Sequence, residues 1–317
     1  MIQTITDPVL IIAGPTASGK SALAMDAAEE FQGTVINADS MQVYKELRLL
    51  TARPSEADED RVPHRLYGVL PAAEACSVGR WLDMAAQAIR EVQAAGGLPI
   101  VVGGTGLYLK ALTEGLADIP DIPDDIRQKA RARHAEIGGE AFHAELAERD
   151  PAAAAKLPSG DSQRLIRAYE VIAATGRSLD DWQAEHALPP LLDHFATLVL
   201  VPPRGDLYRT CDERFDWMLE HGALEEVEAL LSLKLDPNLP ALKAVGVKEL
   251  GALLDGSLPR DEAVRVAKRV TRNFAKRQLT WLRNQVSGTE NLNAQYSERF
   301  KSKIFAFIRQ FLLTKAS

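Results

Sequence analysis

Within eight positions, Gly14-Pro15-Thr16-Ala17-Ser18-Gly19-Lys20-Ser21 brings together a pliable backbone, one ammonium and three hydroxyls. A glycine, four residues and then Gly-Lys-Ser is the spacing of a phosphate-binding loop. Its chemistry is anion capture. Backbone N–H groups converge on phosphate oxygens, and the N-terminus of the following helix adds positive potential. Lys20 is placed to reach the terminal phosphates, and the Ser21 hydroxyl to hold a magnesium ion. The flanks suit the motif. Val9-Leu10-Ile11-Ile12-Ala13 is an apolar run of the kind found in buried parallel strands. Residues 22–31 have a helical pattern, with Gly33 as terminator.

Asp39 is the second candidate. P-loop ATPases and kinases carry an acid at the end of an apolar strand, where it holds the metal. Here the strand predicted at 99–102 ends in Gly103-Gly104 instead. The available acid is Asp39, which follows the strand predicted at 34–38. A carboxylate there can accept a proton from a nucleophile held against the phosphates. The alternative role for Asp39 is capping the turn that follows it.

These residues meet only if the fold places strand ends together. Strands predicted at 9–13, 34–38, 66–70, 99–102 and 197–201, with a helix at 80–95, give the alternation of a doubly wound parallel sheet. Ligands of such sheets sit at the carboxyl ends of the strands. The expected fold class is α/β, P-loop NTPase-like, with an all-helical insertion domain and C-terminal helices. Two prolines, Pro120 and Pro123, mark the boundary. The expected division is a first part of the core at 1–120, a helical insertion at 121–190, and core completion with basic helices at 191–317. Helices are predicted in the insertion at 126–137, 140–149, 162–174 and 179–185. Further helices are predicted at 206–233, as one or two, and at 298–313.

A helix predicted at 261–285 has the clearest charge pattern. Val266, Ala267, Val270, Phe274 and Trp281 share one face of the wheel. Arg265, Arg269, Arg272, Lys276 and Arg283 share the opposite one. The helix's acids, Asp261 and Glu262, lie in its first turn, where they suit the dipole. Cations without interleaved anions point to an anionic partner rather than a salt-bridge lattice.

The chain of 317 residues is 46% hydrophobic and 26% charged, the composition of an ordinary globular protein. A net charge of −7 argues weakly against a nucleic-acid partner overall, although a local basic face escapes that argument. Cys76 and Cys211 form neither a metal spacing nor a disulfide framework. Residues 1–7 lack the basic start and apolar core of a secretory leader, and no run suits a membrane span. A cytoplasmic location is expected.

Six motifs carry a resemblance that spans nearly the whole chain. They are the loop at 14–21, Asp-Ser-Met-Gln-Val-Tyr at 39–44 and Gly-Gly-Thr-Gly-Leu-Tyr at 103–108. Further along stand Asp-Ser-Gln-Arg-Leu-Ile-Arg-Ala at 161–168, Arg-Phe-Asp-Trp-Met-Leu at 214–219 and Lys-Arg-Gln-Leu-Thr-Trp-Leu-Arg at 276–283. In this order the chain resembles the tRNA dimethylallyltransferases, bacterial type. It departs from the family's frequent pattern at Val247, where tyrosine is common, and at Asn273, where glutamine is common.

The resemblance implies transfer of a dimethylallyl group from dimethylallyl diphosphate to the exocyclic amine of the adenine 3′ to the anticodon. The base would be flipped out of its stack. Gly14, Pro15, Thr16, Ala17, Ser18, Gly19, Lys20 and Ser21 would bind the diphosphate, with Mg2+ at Ser21. Asp39 would be the general base, with Thr105 bonding near the same centre and Arg127 supporting it from the insertion. Asp39, Ser40, Met41 and Gln42 would meet the tRNA, with Gln42 reading the adenine edge. Gln163, Arg164, Leu165, Ile166, Arg167, Lys243, Lys248, Arg269 and Arg272 would grip the anticodon stem-loop. So would Lys276, Arg277, Gln278, Leu279, Thr280, Trp281, Leu282 and Arg283. The partners implied are tRNA and dimethylallyl diphosphate, with no membrane and a monomeric chain. A P-loop kinase of a small metabolite explains residues 9–31 equally well. Prenylation of free adenine nucleotides needs the core without an RNA grip. A non-catalytic RNA-binding ATPase module would not need Asp39 beside the phosphates.

Overall fold

A computed structural model describes residues 4–185, 189–286 and 290–314. The chain forms two compact units, one from 1–113 with 191–317 and one from 114–190. In the first, six parallel strands lie in the order β3-β2-β4-β1-β5-β6. They are β1 (Val9–Ala13), β2 (Gly33–Asn37), β3 (His64–Arg65), β4 (Leu98–Gly103), β5 (Phe195–Leu200) and β6 (Glu290–Leu292). β1 lies between β4 and β5, with Ile11 opposite Val101 on one side and Thr197 on the other. All five residues of β1 are buried, as the unbroken apolar run requires of a strand covered on both faces. Because every strand runs the same way, the segments after β1, β2 and β4 open on one edge.

The helices of this unit are α1 (Lys20–Phe31), α2 (Glu56–Arg61), α3 (Val78–Ala94) and α4 (Gly106–Glu114), the last running just past the unit's boundary. The second unit holds α5 (Asp124–Arg149), α6 (Pro151–Lys156), α7 (Ser162–Thr175) and α8 (Leu179–Glu185). The first unit resumes with α9 (Arg204–Glu220), α10 (Ala223–Ser232), α11 (Val247–Leu254), α12 (Arg260–Gln285) and α13 (Lys301–Leu312).

Several elements depart from the sequence pattern. The strand predicted at 66–70 does not form: the short β3 ends at Arg65, Leu66 with φ 65° turns the backbone out of the sheet, and Leu70 makes an isolated bridge with Tyr44. The helices predicted at 126–137 and 140–149 are both present, as two segments of α5 separated by a kink at Gly138 (φ 77°, ψ 169°). Residues 206–233 divide into α9 and α10 at Gly222, which has φ 104°. β6 and α6 carry too few periodic residues to be read in advance. Residue 186 of the predicted helical block and residues 287–289 of the predicted polar link lie outside the described residues.

α12 is rotated relative to its predicted apolar face. Its buried side is Ala263, Ala267, Thr271, Ala275, Gln278, Leu279 and Leu282, which packs against α9 and α11. Val266, Val270, Phe274 and Trp281 are only half-buried. Alanines every fourth residue form a shallow ridge that lets neighbouring helix backbones approach. In the second unit, α5, α6 and α7 enclose a small core of Phe142, Leu146, Ala153, Ala154, Leu165 and Ala168. No helix among the described residues is long and apolar enough to cross a membrane.

Candidate active site

The loop after β1 enters α1 through Gly19, whose φ of 88° is left-handed and which has no side chain with which to cap the helix. The first-turn N–H groups of α1 are therefore left for a ligand, as helix starts require. Within the loop, the Ser18 hydroxyl is fully buried and has no hydrogen-bond partner. A buried polar atom left unmade costs free energy unless a ligand or water completes it. This donor set fits an anion.

The loop is tied to distant elements. Thr16 N–H donates to Gln278 Oε1 at 2.8 Å, and Gln278 Nε2 donates to the Gly104 carbonyl at 3.1 Å. Gln278 is thus the clip between the phosphate loop, the end of β4 and α12. At 6% exposure it is packed inside the protein, where the sequence expectation put a tRNA contact. Gly103 and Gly104 are needed because a Cβ would lie 2.1 Å from the Ala38 carbonyl in one case and 2.4 Å from Gln278 Nε2 in the other. The strand end that lacks an acid is a site of close backbone approach.

Asp39 is positioned by Asn37, a fully buried polar residue at the end of β2. Asn37 Oδ1 accepts from Asp39 N–H at 2.7 Å, while Asn37 Nδ2 donates to the carbonyls of Asp39 and Leu66. Trp81 Nε1 donates to the Asn37 carbonyl at 3.0 Å. Thr105 Oγ1 accepts from Ser40 N–H at 3.0 Å, so the β4 loop braces the segment that carries the carboxylate. Asp39 Oδ1 accepts from Met41 N–H at 3.0 Å. One carboxylate oxygen therefore serves the turn, as in the capping alternative, and Asp39 still lines the cavity.

That cavity has a volume of about 240 Å³. Its polar lining includes Thr16, Asp39, Ser40, Thr51, Arg214 and Arg277; its apolar lining includes Met41, Leu50, Phe215, Met218, Val245 and Phe274. Lys20 Nζ donates to the Pro15 carbonyl at 3.4 Å. Burial pushes the Lys20 ammonium down to about 8; the Asp39 charge opposes this and Arg214 adds to it. Arg214 donates to the Thr16 hydroxyl, and burial lowers its pKa against the opposing influence of Cys211 and Asp39. Burial pushes the Tyr67 phenol up, and the Asp39 charge pushes it further. A desolvated pair of cations beside a phosphate loop favours an incoming anion.

Sequence reasoning missed Asn37 and Arg214 as site residues. Arg214 had a signal, since it opens the motif at 214–219. Asn37 had one too, as a lone amide ending an apolar strand.

Other predicted contacts are corrected by burial and pairing. Gln42 is 8% exposed, and its Nε2 donates to the carbonyls of Thr51 (2.8 Å) and Ala52 (2.9 Å). Both donors hold the cavity's own loop, so none is left for adenine N7. Leu279 and Leu282 are core residues of α12, and Leu165 is core in the second unit. Consecutive residues of a helix point around its axis, so a run such as 163–167 cannot share one surface. Ile166 packs against that same core, leaving Gln163 and Arg164 exposed and Arg167 half-buried. Arg272 Nη1 donates to both carboxylate oxygens of Asp212 at 2.6 Å and Arg265 is paired with Glu262, so the cationic face is part lattice. Arg269, Lys276 and Arg283 have no carboxylate partner among the described residues. Lys243, Lys248, Arg277 and Thr280 are exposed, and Trp281 lies against Gly106. Arg127 belongs to the second unit, where its Nε donates to the Ile122 carbonyl at 3.1 Å.

Parallel order, a glycine loop entering a helix and a polar strand edge define an α/β protein of the P-loop class. Within that class a family model described as IPP transferase matches residues 42–285, and one described as isopentenyl transferase matches residues 8–69. The chain is 56% identical to a tRNA dimethylallyltransferase of Rhodospirillum centenum over 91% of this chain and 92% of that one. It is 52% identical to one of Paramagnetospirillum magneticum over 99% of both. A solved tRNA isopentenylpyrophosphate transferase of Bacillus halodurans superposes with a TM-score of 0.71 at 32% identity, covering 97% of each chain. A eukaryotic dimethylallyltransferase solved acting on tRNA gives 0.80 at 27% identity, over 97% of this chain and 80% of that one. The chain belongs to the IPP transferase family and is a prenyl-transferring enzyme.

Proposed function

We propose that this chain transfers a dimethylallyl group from dimethylallyl diphosphate to the exocyclic amine of the adenine 3′ to the anticodon of tRNA. The observation that carries the reading is that Asp39 and the phosphate loop open on one cavity lined partly by apolar side chains. The diphosphate would lie on the N–H groups of the loop, with Lys20, Arg214 and the Ser18 hydroxyl around it. In the reaction the prenyl C–O bond breaks and a C–N bond forms. Asp39 takes the amine proton, while the cations hold the departing diphosphate. Thr105 serves by fixing Ser40.

A magnesium ion fits this donor set in a limited way. The Ser21 hydroxyl is exposed in the first turn of α1, and no group of three His, Cys, Asp or Glu able to hold a metal occurs among the described residues. The ion would take Ser21, with diphosphate oxygens and water completing its shell. When bound it would withdraw charge from the leaving oxygens.

The RNA would be met by Gln163, Arg164 and Arg167 of the insertion and by Lys243, Lys248, Arg269, Lys276, Arg277 and Arg283 of the first unit. Ser40 and Met41 line the cavity where the flipped adenine would enter. We take the chain to act as a monomer in the cytoplasm.

The test is labelled dimethylallyl diphosphate with unmodified tRNA, followed by nucleoside analysis. One prenylated adenosine next to the anticodon is expected. Equal prenylation of free adenosine monophosphate, or ATP-dependent phosphorylation of a metabolite, would overturn the reading.

A further inference from the structure

The phosphate loop is held from outside by a segment that belongs to none of the six motifs. After β6 the chain crosses behind residues 17–19. Gln295 Nε2 donates to the Ala17 carbonyl at 3.1 Å, and Tyr296 N–H donates to the Ser18 carbonyl at 3.2 Å. Gln295 Oε1 accepts from the Thr210 hydroxyl of α9 at 3.1 Å. The Tyr296 hydroxyl donates to Asp26 Oδ2 at 2.6 Å, two turns into the helix that the loop begins. Tyr296 also packs so closely on Gly19 that a Cβ there would sit 3.0 Å from Tyr296 Cβ.

The conformation being held is a costly one. Ala17 has φ 64°, the left-handed region, which a residue with a Cβ avoids by roughly 1–2 kcal/mol. Such a residue persists where its surroundings over-determine it. Here two consecutive carbonyls are fixed outward by the crossing segment. The C=O and N–H of a trans peptide point in opposite directions. Anchoring the Ser18 carbonyl outward therefore aims the Gly19 N–H into the loop, where an anion would sit.

We infer that Gln295 and Tyr296 are positioning residues for the phosphate loop and set its affinity for the donor's diphosphate. The inference rests on the diphosphate reading of the loop. Neither residue touches substrate; they act through the Ala17 and Ser18 peptides.

The test measures pyrophosphate binding by calorimetry, and kcat and KM for dimethylallyl diphosphate and tRNA, on the full chain. Gln295→Ala should weaken pyrophosphate and raise the donor KM together, by roughly five- to tenfold, the worth of one hydrogen bond that sets loop geometry. The KM for tRNA and kcat at saturating donor should stay as in the parent. Tyr296→Phe keeps the main-chain bond and loses the Asp26 anchor, so a smaller weakening in the same direction is expected. A variant that melts earlier yet binds pyrophosphate like the parent would overturn the inference, because that is a merely structural effect. If Gln295→Ala fails to fold, unchanged pyrophosphate affinity of Tyr296→Phe overturns it alone. Should the parent itself not bind pyrophosphate, it is the diphosphate reading that fails.

Discussion

The cations along α12 and those at the phosphate loop differ in what faces them. Lys268 lies 2.6 Å from Asp216, Arg272 lies 2.6 Å from Asp212, and Arg265 lies 2.6 Å from Glu262. These pairs are partly exposed and contribute about 0–1 kcal/mol each. At the loop, Lys20 and Arg214 are desolvated, and their polar contacts are a carbonyl and a hydroxyl. Against burial, Asp39 raises the pKa of Lys20, and Cys211 followed by Asp39 raises that of Arg214, without overcoming it. The paired cations of α12 are already neutralised; those at the loop await an anion. A count of positive charges in the sequence cannot separate them, because Asp212 and Asp216 come from α9, far away in the chain.

The largest effect that would break this comparison concerns its one acid. Asp39→Asn removes a proton acceptor and keeps the shape. Turnover should fall by ~10²–10⁴-fold, with the affinities for pyrophosphate and tRNA preserved. Near-parental turnover would reduce Asp39 to its turn-forming bond with Met41.

A smaller effect sharpens it. The ammonium of Lys20 is depressed from 10.5 to about 8. An anion on the loop restores the charge, so binding takes up a proton above about pH 8. Pyrophosphate affinity should then weaken by about tenfold per unit as pH rises from there. Pyrophosphate's own ionisation works in the opposite sense, so the measurement is the difference in slope between the parent and Lys20→Ala. The sign for folding is reversed. Between about 8 and 10.5 the unfolded chain holds the proton that the native state has lost, so the unliganded protein gains stability with rising pH there. Equal slopes for parent and variant would remove Lys20 from the cradle.

The smallest effect lies on α12. Gln in place of Arg269, Lys276 or Arg283 should reduce the slope of log tRNA affinity against log salt by about one unit for each phosphate left without its cation. Arg265→Gln, whose partner Glu262 already satisfies it, should leave the slope unchanged. If Arg265 behaves like the others, the distinction between paired and free cations fails.

The loop and β1 were legible because their information is local: an apolar run, a glycine pattern and a lysine stand within one short stretch. Asp39 was legible as the acid after β2. The walls of the cavity were not. Gln42 and Gln278 read as recognition amides, yet both are spent on carbonyls and N–H groups brought near by tertiary packing. The buried side of α12 was misjudged because Ala263 and Ala275, which score weakly on hydrophobicity, fit between helices beside Ala267. β6 spans three residues, Glu290–Leu292, and is a strand only because Leu198, Val199 and Leu200 of β5 offer it an edge.

The placement of β1 has a consequence for how the molecule is made. Its register joins Leu10 to Ile100 on one side and Val9 to Phe195 on the other. Contacts this distant slow the search for the native state. On a ribosome adding about 5–20 residues per second, β5 follows β1 by roughly 10–40 s. Until β4 is made both edges of the central strand are unpaired, and from then until β5 emerges one edge is. The helical unit at 114–190 is translated inside this window, after β4 and before β5.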